Sequence, residues 1–560
     1  MSTSVRPEEF RGVFRIDAEA RAVYSEAAGI ARVQPHAVAV PADAADVVTL
    51  VRWAARERAP LIPRGSGSSM AGGAIGDGVI VDLSRLAWMD AVDREHLVVR
   101  CGPGVVRDQL DAAARAAGLR FPVDPSSGAF CTVGGMASTN ASGARTLRYG
   151  SMRAWVNALE CVFADGSRAW VRRGEPVPDV APVRRFLDEA AAELARAERS
   201  TPSRHAEVRK ESSGYGVAAW ADSGELVDLL VGSEGTLALI VGLELRLAPL
   251  LPATASVLGA FASLEAAVDG AGYARAAGAS ACELLDRTFL DVARSGGAHV
   301  PVPDQVEAVL LAEVEGRDEP ECATHARRLE ARFRAAGAMR VVLALDHETE
   351  HAMWELRHAA SPILSRLDPS LKSMQFIEDG CVPPERLADY VRGVRAALDR
   401  QGIRGVIFGH AGDAHVHVNP LVNVADPAWR SRVEALLDEV ATLTARLGGT
   451  LSGEHGDGRL RAPLLPRVWS GEALAHFTAV KRAFDPDGIL NPGAKLATPG
   501  EQAVAQVKYD PALPPLPAAA RDVLATVERE RAYARPRLEL LAAAHAANAA
   551  APLDASGGAS

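Results

Sequence analysis

From Cys131 to Gly143 the chain reads Cys-Thr-Val-Gly-Gly-Met-Ala-Ser-Thr-Asn-Ala-Ser-Gly, a long tract with almost no bulky side chain. Residues this small cannot interlock into an ordinary close-packed core. Either the tract is a flexible loop, or its backbone lies against a large planar ligand that leaves no room for side chains. Two more stretches share this character. Pro60-Leu-Ile-Pro-Arg-Gly-Ser-Gly-Ser-Ser69 reads as a strand running into a loop of glycine and serine, and Leu229 to Gly242 returns to Gly-Ser-Glu-Gly-Thr between apolar runs. A Gly-Ser loop after a strand offers backbone N–H groups and hydroxyls to an anion, as a phosphate cradle does, although surface loops of this composition are common.

At 560 residues the chain predicts two or three domains rather than one core. With 48% hydrophobic and 24% charged residues and no apolar run near the roughly 20 residues of a membrane span, it reads as globular and soluble. The net charge of −10 argues against nucleic-acid binding. Six widely spaced cysteines contain no C-x-x-C, so neither a zinc ribbon nor an iron-sulfur run is present, and buried free thiols are expected. The N-terminus lacks the charged and apolar regions of a signal peptide, which points to the cytoplasm and leaves room for peripheral attachment to the inner face of a membrane.

Regular structure is expected between the small-residue tracts. Ala37 to Val40 reads as a strand, Val47 to Arg56 as a helix started by Asp43 or Asp46, Gly78 to Asp82 and His96 to Arg100 as strands, and Val105 to Ala117 as a helix. Arg172 to Arg209 reads as an inserted helical segment, and Pro249 and Pro252 mark a boundary. Beyond it come helix Leu264–Ala277, strand Ala308–Val314, helix Glu321–Ala336 and strand Arg340–Leu345, a pattern suited to an antiparallel sheet with helices on one face. After Pro499 an Ala-, Pro- and Arg-rich tail predicts one helix from Ala518 to Ala547.

Chemistry concentrates at Gly409-His-Ala-Gly-Asp-Ala-His-Val-His-Val-Asn419, where three of the chain's 14 histidines fall within eight positions. Alternation places His415, His417 and Asn419 on one strand face, backed by Val416 and Val418. A second cluster, Leu451-Ser-Gly-Glu-His-Gly-Asp-Gly458, sets Glu454 and His455 among glycines that permit close backbone approach. Together they offer imidazoles and a carboxylate, a candidate metal site, against the alternative of a hydrogen-bonded histidine cluster.

In order along the chain these stretches, with Gly488-Ile-Leu-Asn-Pro-Gly493, resemble the FAD-linked D-2-hydroxy-acid dehydrogenases (D-lactate, glycolate and D-2-hydroxyglutarate members) of the vanillyl-alcohol-oxidase fold. The resemblance implies an α+β protein: a PCMH-type FAD-binding domain of two α+β subdomains over residues 37–250, and a ferredoxin-like antiparallel-sheet substrate or cap domain over 251–450. It further implies an N-terminal segment 1–36, a return to the FAD domain over 451–499, and a tail over 500–560. It implies that Pro63, Arg64, Gly65, Ser66, Gly67, Ser68 and Ser69 hold the FAD pyrophosphate. Pro125, Ser126, Gly134, Gly135, Asn140, Ser142, Gly143, Tyr149, Glu234, Gly235, Ile240 and Asn491 would line the rest. The pyrophosphate loop lacks the histidine that often carries covalent flavin, so FAD is expected to be non-covalent. His410, His417 and Glu454 map onto metal ligands for zinc or manganese, His455 onto the catalytic base, and Arg357 and Lys372 onto positions that hold the substrate carboxylate.

The implied reaction oxidises a small D-2-hydroxy acid, D-lactate as first choice, and passes electrons to a separate acceptor such as an iron-sulfur protein, cytochrome, quinone or electron-transfer flavoprotein; a homodimer is compatible with it. The chain departs from the family at Ala414 and His415, where glycine and asparagine are usual, and at Asp457. Gly-Asp-Gly at 456–458 is the form of longer relatives with a C-terminal iron-sulfur domain, which is not expected here because no cysteine follows Cys381. Two other enzymatic readings use the same residues: non-redox flavin chemistry of the alkyl-dihydroxyacetone-phosphate synthase type, and a metal-dependent hydrolase with Glu454 activating water.

Overall fold

The computed structural model describes residues 6–200, 202–295, 297, 302–358 and 370–550. Three β-sheets carry the fold. In the first, Ala37–Val40, Val79–Asp82 and Leu61–Arg64 run parallel with Val79–Asp82 central, and Val13–Arg15 pairs antiparallel at the edge. Apolar runs such as Ala-Val-Ala-Val suit strands buried on both faces. Helix Ala44–Glu57 covers this sheet with Val47, Leu50, Val51 and Ala54, an i, i+3, i+4, i+7 stripe. The Asp43 carboxylate caps it by accepting from the Asp46 N–H. From the N-terminal segment, residues 13–15 extend the sheet at its edge, and Val23 and Tyr24 pack with Val38, Ile62 and Ile80 on its face.

The second sheet is antiparallel, in the order Val98–Cys101, Leu239–Arg246, Val156–Val162, Arg168–Arg172. Its core includes Phe186 from the supposed insertion and Phe477 and Phe484 from helix Gly471–Phe484. The segment after Thr450 thus packs on the N-terminal half of the chain, with Phe484 5.3 Å from the Phe186 ring.

The third sheet is wholly antiparallel, in the order Arg340–Ala344, Ala253–Phe261, Ala308–Gly316, Ala281–Asp286, Arg404–His410, His415–Asn423, Leu371–Ser373. Helices were expected on one face; they cover both. Val257, Leu310 and Ala312 face helices Leu264–Ala276, Glu319–Ala335 and Leu387–Gln401, while Leu258, Val309 and Leu311 face Arg287–Ser295 and His347–His358. Strand Ala308–Gly316 is buried at every position, and its apolar run from Ala308 to Ala312 is the pattern of a strand covered on both faces.

The tail also departs from expectation. It forms two helices, Ala518–Glu530 and Arg537–Ala550, broken where Arg531 turns left-handed (φ 53°) and Pro536 bars continuation. The pair packs through Ala520, Val523, Leu540 and Leu541 on Tyr24, Val38, Ile62 and Ile80.

Candidate active site

Strand Arg404–His410 ends in a short turn, Ala411–Asp413, and Ala414 reverses the chain with φ 55° before strand His415–Asn423. A glycine adopts that backbone freely, whereas alanine there is strained by about 1–2 kcal/mol. The hairpin register sets His410 opposite His415 and Phe408 opposite His417. Residues 415 and 417 share a face, while Val416 and Val418 join the core behind. Against this hairpin lies the loop of Ser452 to Asp457. Gly453 is required there, since a Cβ would meet the His415 ring at 2.7 Å.

His410 Nε2, His417 Nε2 and Glu454 Oε1 converge, with separations of 3.3 Å between the imidazoles and 3.5 and 3.3 Å to the carboxylate. The outward nitrogens are fixed: His410 Nδ1 donates to Glu283 Oε1 at 2.6 Å and His417 Nδ1 to the Glu378 carbonyl at 2.8 Å. These partners orient both Nε2 lone pairs inward, as acceptors on the outer nitrogen do for metal-bound imidazoles. Buried electron pairs so close need a cation between them, either a proton or a metal ion. Two imidazoles and a carboxylate with such outer partners fit a divalent ion. Burial opposes charge on His417, but Glu378 and Glu454 outweigh it and push its pKa up to about 9.

The remaining Glu454 oxygen accepts from Ser142 Oγ at 2.7 Å and from the buried Lys210 Nζ at 3.0 Å. Burial disfavours this carboxylate's charge, yet Lys210 and His410 hold it well below the usual range. His455 donates from Nδ1 to Glu378 Oε2 at 2.8 Å. Burial works against its charged form, but Glu378 and then Asp379 raise it to about 10. Arg461 ties down Glu378, and Asp379 accepts from the N–H groups of Glu454 and His455 at 3.1 and 3.0 Å, fixing the loop. His415 is fully buried, donates from Nε2 to Asp379 at 2.8 Å, and has a pKa lowered by burial to about 3. Its Nδ1 has no partner among the described residues.

A cavity of about 1850 Å³ joins this cluster to the small-residue tracts. Its walls include Pro63 to Ser69, Pro125, Ser126, Gly134, Gly135, Ser142, Gly143, Glu234, Gly235 and Ile240. The carbonyls of Gly67 and Ser69 accept from Ala28 and Gly29, while the N–H groups of Ser66 to Ser69 find no acceptor among the described residues. A loop with its carbonyls engaged by protein and its N–H groups free fits a diphosphate. Arg357 and Lys372 face the same cavity, Arg357 donating to Glu283 Oε2 at 2.8 Å and Lys372 lying 5.9 Å from the Tyr509 ring.

Three expected cofactor residues do not line it. Tyr149 donates its hydroxyl to Glu315 at 2.5 Å, Asn140 bonds the Arg153 N–H at 2.9 Å, and Asn491 donates to the Gly73 and Glu234 carbonyls at 2.9 and 2.7 Å. The two asparagines, both left-handed, brace the walls from behind. Asp457 accepts from Gly214 N–H and Ser213 Oγ, so it too is a brace. Sequence reasoning missed Glu283, Glu378, Asp379 and Arg461. A signal existed for Glu283, a carboxylate flanked by apolar residues in the buried strand Ala-Cys-Glu-Leu-Leu-Asp, and for the adjacent acids Glu378 and Asp379.

Comparison with known proteins agrees with this architecture. The FAD binding domain family matches residues 35–172, and the C-terminal domain of FAD linked oxidases matches 250–494. D-lactate dehydrogenase of Archaeoglobus fulgidus is 30% identical over 81% of this chain and 90% of its own, and glycolate oxidase subunit GlcD of Bacillus subtilis 29% over 83% and 89%. D-2-hydroxyglutarate dehydrogenase of Pseudomonas putida is 31% identical over 89% of this chain, which spans about half (51%) of that longer relative. Among solved structures, 4-ethylphenol oxidase from Gulosibacter chungangensis superposes with a TM-score of 0.64 at 17% identity, covering 89% of this chain and 96% of its own. Alkyldihydroxyacetonephosphate synthase does so with 0.59 at 15%, covering 86% and 82%; both show the fold alone. The chain belongs to the FAD-linked hydroxy-acid dehydrogenase family, an oxidoreductase with a PCMH-type FAD-binding domain joined to an FAD-linked oxidase C-terminal domain.

Proposed function

We propose that the protein oxidises a small D-2-hydroxy acid, D-lactate as first candidate, to the 2-oxo acid, with non-covalent FAD and a divalent cation, zinc or manganese, and passes the electrons to a separate acceptor. The observation that carries this reading is the convergence of His410, His417 and Glu454 in the cavity that also holds the Ser66–Ser69 loop. FAD supplies a two-electron acceptor. A cation held by His410, His417 and Glu454 would supply positive charge that makes the substrate hydroxyl more acidic and offsets the carboxylates beside His455.

The chain's own side chains do the rest. Arg357 and Lys372 hold the substrate carboxylate, the first as a fork braced by Glu283 and the second as a point charge without an ion-pair partner among the described residues. His455, steered by Glu378 through Nδ1, takes the hydroxyl proton at Nε2. Gly134, Gly135 and Gly143 lie in the cavity wall, and a Cβ on Gly134 or Gly143 would meet Pro103 Cβ at 2.4 Å or the Asp124 carbonyl at 2.2 Å, so glycine there lets the wall close up. The test is anaerobic bleaching of the flavin spectrum by paired D- and L-2-hydroxy acids, before and after chelation. Bleaching by the D acid alone, abolished by chelation and restored by zinc or manganese, is expected. A yellow protein that no hydroxy acid bleaches would overturn the assignment in favour of non-redox flavin chemistry.

A further inference from the structure

The tail lies outside both matched family regions, which end at residue 494, yet it reaches the cofactor cavity. The turn between its helices puts Arg531 and Tyr533 on the cavity wall, with the Tyr533 ring 5.2 Å from Phe130. Arg537, the first residue of the last helix, is buried behind the Gly65–Ser69 loop. Its Nη2 donates to the Ser66 carbonyl at 3.2 Å, and its Nη1 to carbonyls of its own turn. Its Nε has no partner among the described residues. On the same loop Arg64, also buried, lies under Gly67, where a Cβ would stand 2.2 Å from Nη2. That Nη2 and the Ser69 Oγ are likewise unpartnered among the described residues.

Charge does not balance here. The charge of Asp82 acts on both guanidiniums, but Asp82 forms an ion pair with neither among the described residues and accepts from the Tyr24 hydroxyl at 2.5 Å, while Glu26 is paired with Arg32 at 2.7 Å. Burial and then Arg64 push Arg537 down to about 10, and burial lowers Arg64 as well. A buried net positive charge is costly unless an anion meets it. The N–H groups of Ser66 to Ser69, without acceptors among the described residues, offer such an anion a seat.

We propose that Arg537 is a positioning residue for the diphosphate of a dinucleotide: from behind, through the Ser66 carbonyl, it fixes the loop and adds a second buried guanidinium to Arg64, making the tail part of the cofactor site. The test is titration of FAD, and of riboflavin, which lacks the diphosphate, into the whole chain stripped of flavin. Wild type is compared with Arg537→Gln, Arg537→Lys and Leu541→Ala, the last loosening tail packing without touching charge. Arg537→Gln is expected to weaken FAD at least about tenfold while riboflavin changes less than about twofold, and lysine to restore most of the affinity. Leu541→Ala is expected to lower the thermal midpoint without that selectivity. Equal FAD affinity in Arg537→Gln and wild type, equal losses for FAD and riboflavin, or identical behaviour of Arg537→Gln and Leu541→Ala would overturn the proposal. Should the glutamine variant not fold, the lysine variant decides: retained FAD affinity supports a role for charge, and a tenfold loss refutes it.

Discussion

Lys210→Met is the sharpest probe of how the site is held together. The Lys210 side chain is 1% exposed, with Nζ 3.0 Å from Glu454 Oε2, 3.1 Å from the Gly143 carbonyl and 4.0 Å from Asp413 Oδ2. Methionine keeps most of the apolar body and removes the charge together with the N–H donors. Glu454 would then be a buried carboxylate retaining Ser142 and three imidazoles, and Asp413 would keep Arg209, 3.5 Å away, as its one ion-pair partner among the described residues. Removing one partner of a buried ion pair costs about 3–5 kcal/mol. Because Glu454 keeps four other contacts, the lower end, about 3 kcal/mol, is expected, which is roughly a hundredfold in the folding equilibrium. Urea unfolding followed by far-UV circular dichroism measures it, with Arg184→Met as control. Arg184 pairs with Asp179 at the surface, where both side chains are more than half exposed, and its loss should cost almost nothing. A Lys210→Met loss under about 1 kcal/mol would refute the claim that Lys210 is the compensating charge for Glu454.

Three further outcomes are expected. Glu283→Gln leaves His410 without its charged acceptor and should weaken zinc binding about 10–100-fold, read by competition with a chromophoric chelator; unchanged affinity would mean that Glu283 does not orient the ligand. His455→Ala should abolish flavin reduction by substrate while the visible flavin spectrum and FAD content persist, and reduction at the wild-type rate would rule out that base. Glu244, despite partial burial, is held down to about 2 by Arg172, Arg100 and Asn157. A carboxylate with a depressed folded-state pKa contributes stability that is present above about pH 4.5 and lost as pH falls toward 2. Glu244→Gln should therefore flatten the acid limb of a stability profile over that window, and an unchanged limb would remove Glu244 as its source.

Much of this protein is legible in short stretches because the physics there is short-range. The helix Ala44–Glu57 announces itself by its Asp43 cap and apolar stripe, and the hairpin around Ala414 by alternation that sets His415 and His417 on one face. The Gly-Ser loop and the small-residue tract likewise describe their own backbone: glycine and serine can approach a ligand where bulk cannot. Even the family follows from the order of such stretches. Local pattern failed where two signals conflicted, as in the tail, where helix-forming alanines run through Arg531 and Pro536 and the chain breaks there all the same.

What only the tertiary structure decided is which distant residues meet. Lys210 and Ser142 reach Glu454 across 244 and 312 positions, Glu283 reaches His410 across 127, and Arg537 reaches Ser66 across 471. No periodicity encodes such pairs, because each depends on how separate sheets dock. Asn140, Asn491 and Tyr149 show the converse: their place in a motif is local, but whether a side chain faces the cavity or braces its wall from behind depends on packing that the motif does not contain. The sequence by itself thus determined the elements and the kinds of groups present. Docking determined their partners, and the charge on a buried imidazole or carboxylate follows from those partners.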